Sequence, residues 1–90
     1  MALVRNISGT SDNTPPKGYS SWKEFWESKM NRRLSSCSNL SCDRRADHGG
    51  HVKKVHGLGE WYIVPLCDKC NNPYNTDSFS VKDTDLLRVR

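Results

Sequence analysis

Two close pairs of cysteines limit what this chain can become more than any other feature of its sequence. Cys37 and Cys42 enclose four residues, Cys67 and Cys70 enclose two, and 24 residues lie between the pairs. A spacing this short places two thiols on one side of a tight turn, and two such turns complete a tetrahedron of sulfur. The 90 residues are room for one domain, which at this size buries a modest share of its surface and has a marginal core that needs a staple. Disulfides and a metal ion are the candidate staples. The sequence has no run of about 18 apolar residues and opens with no charged, apolar and small-residue succession of the secretory kind. The chain is therefore expected to stay in the cytoplasm, without a membrane partner, where thiols persist and more often bind metal than pair as disulfides.

Zinc suits thiolate sulfur, has no redox chemistry, and in a site with four protein ligands contributes folding free energy directly. An iron–sulfur cluster fits a small domain with polar surroundings less well. The expectation is one Zn2+ ion held by Cys37, Cys42, Cys67 and Cys70, structural because no position is left open for water. Arg44, Arg45 and Lys69 lie beside ligands and would offset the surplus charge of four thiolates. An alternative ligand set exchanges one cysteine for His48, His51 or His56.

Around this centre the chain divides into three stretches. Residues 1–18 are rich in Ser, Thr, Asn, Gly and Pro and read as an extended or flexible arm, with Leu3, Val4 and Ile7 able to dock it as an edge strand. Residues 19–90 form the zinc-binding domain. Ser21 followed by Glu24 has the form of a capping box, and Trp22, Phe25, Trp26, Met30 and Leu34 recur at helical spacing, so the pattern predicts an amphipathic helix over 22–34. The zinc module spans 37–72. Within it, His51–Val55 and Glu60–Val64 read as a hairpin around Gly57-Leu58-Gly59, Pro65 reads as the end of the second strand, and Cys67–Asn72 as a short helix. In the tail, 73–90, Phe79 and Val81 alternate with polar residues, and Leu86, Leu87 and Val89 offer a last strand or turn. The fold class is α+β.

The formal charge of +4 permits contact with nucleic acid or an acidic protein without selecting either. Arg32, Arg33, Arg44, Arg45, Lys53 and Lys54 flank the knuckle and hairpin and are the candidate phosphate contacts. The Trp22 helix is read first as core and second as a face for a protein partner.

A cysteine knuckle, a Gly-rich histidine segment, a hairpin and a Cys-x-x-Cys helix in this order resemble the treble-clef zinc fold, and more narrowly its HNH-like ββα group. The stretch Cys37–Asn72, with its segments GGHV and WYIVPLCDKCN, is similar to small bacterial and phage HNH-like proteins. The likeness extends weakly to Gly9-Thr10-Ser11-Asp12 and Ser21-Trp22. In HNH nucleases a histidine on the first strand activates water, an asparagine before the second cysteine pair orients it, and a His or Asn after it binds the catalytic cation. The resemblance offers His51 or His48 for the first role and Asn71 for the last. Tyr62 stands where the orienting asparagine belongs, and a phenol does not replace an amide's donor and acceptor. His51 therefore reads first as a residue packed beside the knuckle. The resemblance thus implies a zinc-stapled module that binds nucleic acid or a protein, with catalysis lost. The alternatives are a phage or mobile-element product that modulates a host protein in the host cytoplasm, and a metal-dependent nuclease.

Overall fold

A computed structural model describes residues 1–7, 14–72 and 74–90. Among the described residues, five strands and one helix make up the α+β architecture: β1 (Ala2–Asn6), α1 (Trp22–Met30), β2 (His48–Lys54), β3 (Trp61–Leu66), β4 (Phe79–Val81), a 3-10 turn (Asp83–Asp85) and β5 (Leu87–Arg88). The strands form one sheet in the order β4-β1-β2-β3-β5, and neighbouring strands are antiparallel throughout.

The register sorts the side chains into two faces, because side chains alternate along a strand and directly opposed residues share a face. Val4 pairs with Lys54 and Phe79, Ala2 with Val81, Val52 with Tyr62 and Gly50 with Val64. These share the first face, and Val4, Val52, Val64, Leu66, Phe79 and Val81 pack there with Cys37, Cys67 and Cys70 as one buried cluster. The second face carries Gly49, His51, Lys53, Trp61, Ile63, Pro65 and Leu87, and α1 lies across its β2, β3 and β5 portion. Trp26, Leu34, Ala46 and Ile63 are buried there, with Trp22, Met30, Leu87 and Val89 packed around them. A Cβ on Gly49 would lie 2.8 Å from the Trp22 backbone, so only glycine lets the start of α1 approach β2 this closely.

Ser21 caps α1 from an extended conformation, accepting a bond from Glu24 N at 3.1 Å. The Glu24 carboxylate accepts in return from the backbone of Ser20, one residue before the cap. The helix stops at Met30 rather than running to Leu34, because Asn31 turns left-handed at φ 54°, a conformation asparagine tolerates. Leu34 reaches the core all the same. The Glu27 carboxylate accepts from Leu34 N at 2.9 Å and folds the chain back under the helix.

Three further expectations are corrected. Residues 2–6 are an interior strand of the sheet rather than an extended or flexible arm or an edge, so a boundary at residue 18 does not separate an arm from a domain. Residues 8–13, with the Gly9–Asp12 segment, lie outside the described residues. Pro65 continues β3 instead of ending it. Its carbonyl points outward and accepts from Ser38 N at 2.8 Å, so the N–H that proline lacks is not required by the β2–β3 ladder. Cys67–Asn72, expected as a short helix, forms a single turn closed by Asn71 N donating to Cys67 O at 2.9 Å. The tail, read as offering a last strand or turn, supplies two strands, at Phe79–Val81 and Leu87–Arg88.

Candidate metal centre

Two loops deliver the cysteines to the edge of the first sheet face. The knuckle loop, 37–42, is anchored at several points: Cys37 N donates to Arg44 O at 2.9 Å, Ser38 N to Pro65 O at 2.8 Å and Leu40 N to Ser80 O at 2.9 Å. Cys42 N closes it, donating to Asn39 O at 2.9 Å. The second loop is the turn that follows β3. Cys67 leaves the strand buried, and the turn returns Cys70 to the same point.

The four sulfurs lie within 4.8 Å of one another and can hold a metal ion. Cys42 Sγ and Cys67 Sγ are 3.8 Å apart, which exceeds a disulfide bond of about 2.05 Å, and all four cysteines are free. A tetrahedral ion with metal–sulfur bonds of about 2.3 Å sets its sulfurs about 3.8 Å apart, so the donor set fits such an ion in both identity and separation. No histidine joins the group among the described residues, and the alternative sets with His48, His51 or His56 are not assembled.

Neutral donors, rather than the expected cations, reach the sulfurs. Cys67 N donates to Cys37 Sγ and the Asn39 amide to Cys70 Sγ, each at 3.4 Å, while Arg44, Arg45 and Lys69 are exposed. Burial pushes the Cys37 thiol up to about 12, and burial also raises Cys70. At Cys67 burial acts in the same direction, but hydrogen bonds from the Cys70 backbone and the Cys70, Cys42 and Cys37 thiols outweigh it and bring the value down to about 7. Cys37 and Cys70 therefore hold their protons more firmly than Cys67. Metal binding must drive off the remaining protons.

Sequence reasoning missed the side chains that brace the centre. Asn6 of β1 donates to Cys70 O at 2.7 Å and Asn75 to the same oxygen at 3.2 Å. Asn39 accepts from Ser41 N at 2.9 Å while its amide reaches Cys70. Beside Cys37, Ser38 is buried and donates to Asp85 Oδ2 at 2.8 Å. The same buried carboxylate accepts from Arg32 at 2.7 Å, and the Asp85 carbonyl accepts from Trp26 Nε1 at 2.9 Å. Asn39, enclosed by the knuckle cysteines, is the one of these with a signal in the sequence.

The residues offered by the nuclease resemblance are divided between the two faces of the sheet. His51 is on the second sheet face, its ring edge-to-face with Trp22 at 4.6 Å and Trp61 at 6.1 Å. Burial lowers its pKa. It does not pack beside the knuckle, which sits on the first face. Asn71 is on that first face as well, since a Cβ on Gly50 would meet Asn71 Oδ1 at 2.8 Å. His48 shares this face and pairs with Asp68, and His56 is exposed in the hairpin turn.

The basic candidates are also dispersed. Arg32 is held by Asp85 and lies over the Trp26 ring at 4.7 Å, so it braces the fold. Arg33, Arg44 and Arg45 are exposed on the segments around the knuckle. Lys53 and Lys54 project from opposite faces of β2, Lys53 opposite Arg5 and Lys54 opposite Val4. No family model, curated protein or solved structure matches the chain. No helix among the described residues is long and apolar enough to cross a membrane.

Proposed function

We propose that the chain is a zinc-stapled binding module whose four-cysteine centre is structural and which binds nucleic acid through its exposed cations, without catalysis. The observation that carries this reading is the convergence of four thiols within 4.8 Å, joined by no other metal-ligating side chain among the described residues. Four thiolates close the coordination shell of zinc and leave no place for a reactive water. The proposed fold relation is to the treble clef, supported by the order of knuckle, hairpin and second cysteine pair, with a turn where that fold has a helix. Residence in a reducing cytoplasm belongs to it as well, since the site needs free thiols.

Binding is favoured over cleavage because His51 and Asn71 lie on opposite sides of the sheet, and His48, on the side of Asn71, is already paired with Asp68. Nucleic acid is favoured over a protein partner for the Trp22 helix because Trp26, its central aromatic, is buried in the fold. The test is fluorescence anisotropy of the purified, metal-analysed chain with labelled DNA and RNA across a salt series. The expected result is binding that weakens steeply with salt, as counterion release requires, with no cleavage in magnesium. Absence of binding at low salt, or metal-dependent cutting that His51→Ala or His48→Ala abolishes, would overturn the reading.

A further inference from the structure

Among the described residues, α1 covers the β2, β3 and β5 portion of the second sheet face only in part, and the rest carries an ordered row of side chains. Arg5 on β1 lies directly opposite Lys53 on β2, and Lys53 directly opposite Trp61 on β3. Trp61 N donates to Arg90 O at 3.0 Å, and the Arg90 guanidinium sits over the Trp61 ring at 4.7 Å. Four neighbouring positions therefore read cation, cation, indole, cation across the sheet. With strands spaced about 4.8 Å apart, the row from Arg5 to Trp61 spans about 10 Å before Arg90 is added.

Two features of the row are unusual for a surface that only faces water. Like charges directly opposed on a sheet are destabilising, yet among the described residues no carboxylate pairs with Arg5 or Lys53. Beside the row is a cavity of about 230 Å³ lined by Thr14, Trp22, His51, Trp61, Val89 and Arg90. That is below the range of about 300–1,000 Å³ typical of whole small-molecule sites and suits one planar ring system. His51 lines it with 7% of its surface exposed, and neither ring nitrogen has a hydrogen-bond partner among the described residues. With its pKa lowered by burial, the imidazole is neutral near pH 7 and offers one donor and one acceptor.

We propose that this face is a single-strand nucleic-acid site, in which the cavity of Trp22, His51 and Trp61 receives one unpaired base and Arg5, Lys53 and Arg90 contact the adjoining phosphates. A cationic guest is disfavoured by Arg90, which lines the cavity, and by Lys53, directly opposite Trp61. A neutral heteroaromatic ring attached to an anion matches both parts: the ring stacks on aromatic and guanidinium planes, and the base edge meets His51. The distance from Arg5 to the cavity exceeds one nucleotide's own phosphate and points to a strand rather than a free nucleotide. An unpaired base is required because a duplex keeps its bases stacked inside.

This inference rests on the nucleic-acid reading above, and the experiment separates their failures. Labelled single-stranded ten-nucleotide homopolymers and a duplex control are titrated into the intact zinc-loaded chain and its variants, with zinc content and circular dichroism confirming each fold. Trp61→Leu is expected to weaken strand binding about tenfold, within the range for loss of one stacked base. Lys53→Glu is expected to weaken it and flatten the salt slope by about one unit, while stabilising the fold by pairing with Arg5 across the strands. It therefore serves as the test if Trp61→Leu fails to fold. Lys54→Glu, the same change of charge on the opposite face, is expected to shift affinity less than twofold. Strand binding that Lys54→Glu weakens as much as Lys53→Glu, that tolerates Trp61→Leu, or that a mononucleotide displaces at equal affinity would overturn this site and leave the nucleic-acid reading standing. A chain that binds neither strand nor duplex would overturn both.

Discussion

At the scale of single residues, the four cysteines are not equivalent, although any four-thiolate site needs all of them. The fold brings the Cys67 thiol down to about 7 and pushes the Cys37 thiol up to about 12. Cys67 also joins β3 to the turn that carries Cys70, and its N–H donates to Cys37 Sγ. Cys67→Ser is therefore expected to lower metal affinity by at least tenfold and to remove the cooperative thermal transition. His51→Ala should keep the full metal stoichiometry, since that ring packs between tryptophans on the far side of the sheet. Metal titration with a competing chromophoric chelator compares the two. Metal lost from His51→Ala with Cys67→Ser unaffected would overturn the ligand assignment.

Among the elements, Asp85 is the least anticipated contributor. One buried carboxylate ties the end of α1 through Arg32 to the knuckle through Ser38, and the Asp85 carbonyl receives the Trp26 indole. Hydrogen bonds to a charged group contribute about 1.5–3 kcal/mol each, but the Arg32 end is 45% exposed and solvent weakens that partner. Asp85→Ala is expected to cost about 2–3 kcal/mol in urea denaturation, against less than about 0.5 kcal/mol for exposed Arg33→Ala. Equal midpoints for these variants would show that the carboxylate does not couple helix to knuckle. Nothing in the sequence marked Asp85, because its partners are 47 to 59 residues away. β1 was obscured for the same reason. Two alternating apolar residues, Ala2 and Val4, are a weak local signal, and the strand forms only because Val4 meets Lys54 on one side and Phe79 on the other. Local chemistry was legible wherever it was sufficient: the Ser21 cap, the hairpin and the cysteine spacing. It misled at Leu34 and Pro65, where the Asn31 turn and an outward-facing proline changed the boundary. Of the Arg5, Lys53, Trp61 and Arg90 row, the two ends were hidden, since Arg5 and Arg90 belong to stretches assigned to an arm and a tail.

For the whole molecule, the question is which part of the stability belongs to the metal. Domains are stable by about 5–15 kcal/mol, and a structural zinc site contributes about 10–16 kcal/mol in small zinc domains. The second term is as large as the first. The cysteines are also part of the main apolar cluster, packed with Val4, Val52, Val64 and Leu66, so the ion and the core are lost together. The most direct measurement is zinc content per chain, followed by circular dichroism and thermal melting before and after a strong chelator under reducing conditions. The expected result is one zinc per chain and loss of the cooperative transition on chelation, restored by added zinc. Two zincs per chain, or an unchanged melting transition after complete removal of the metal, would contradict the account.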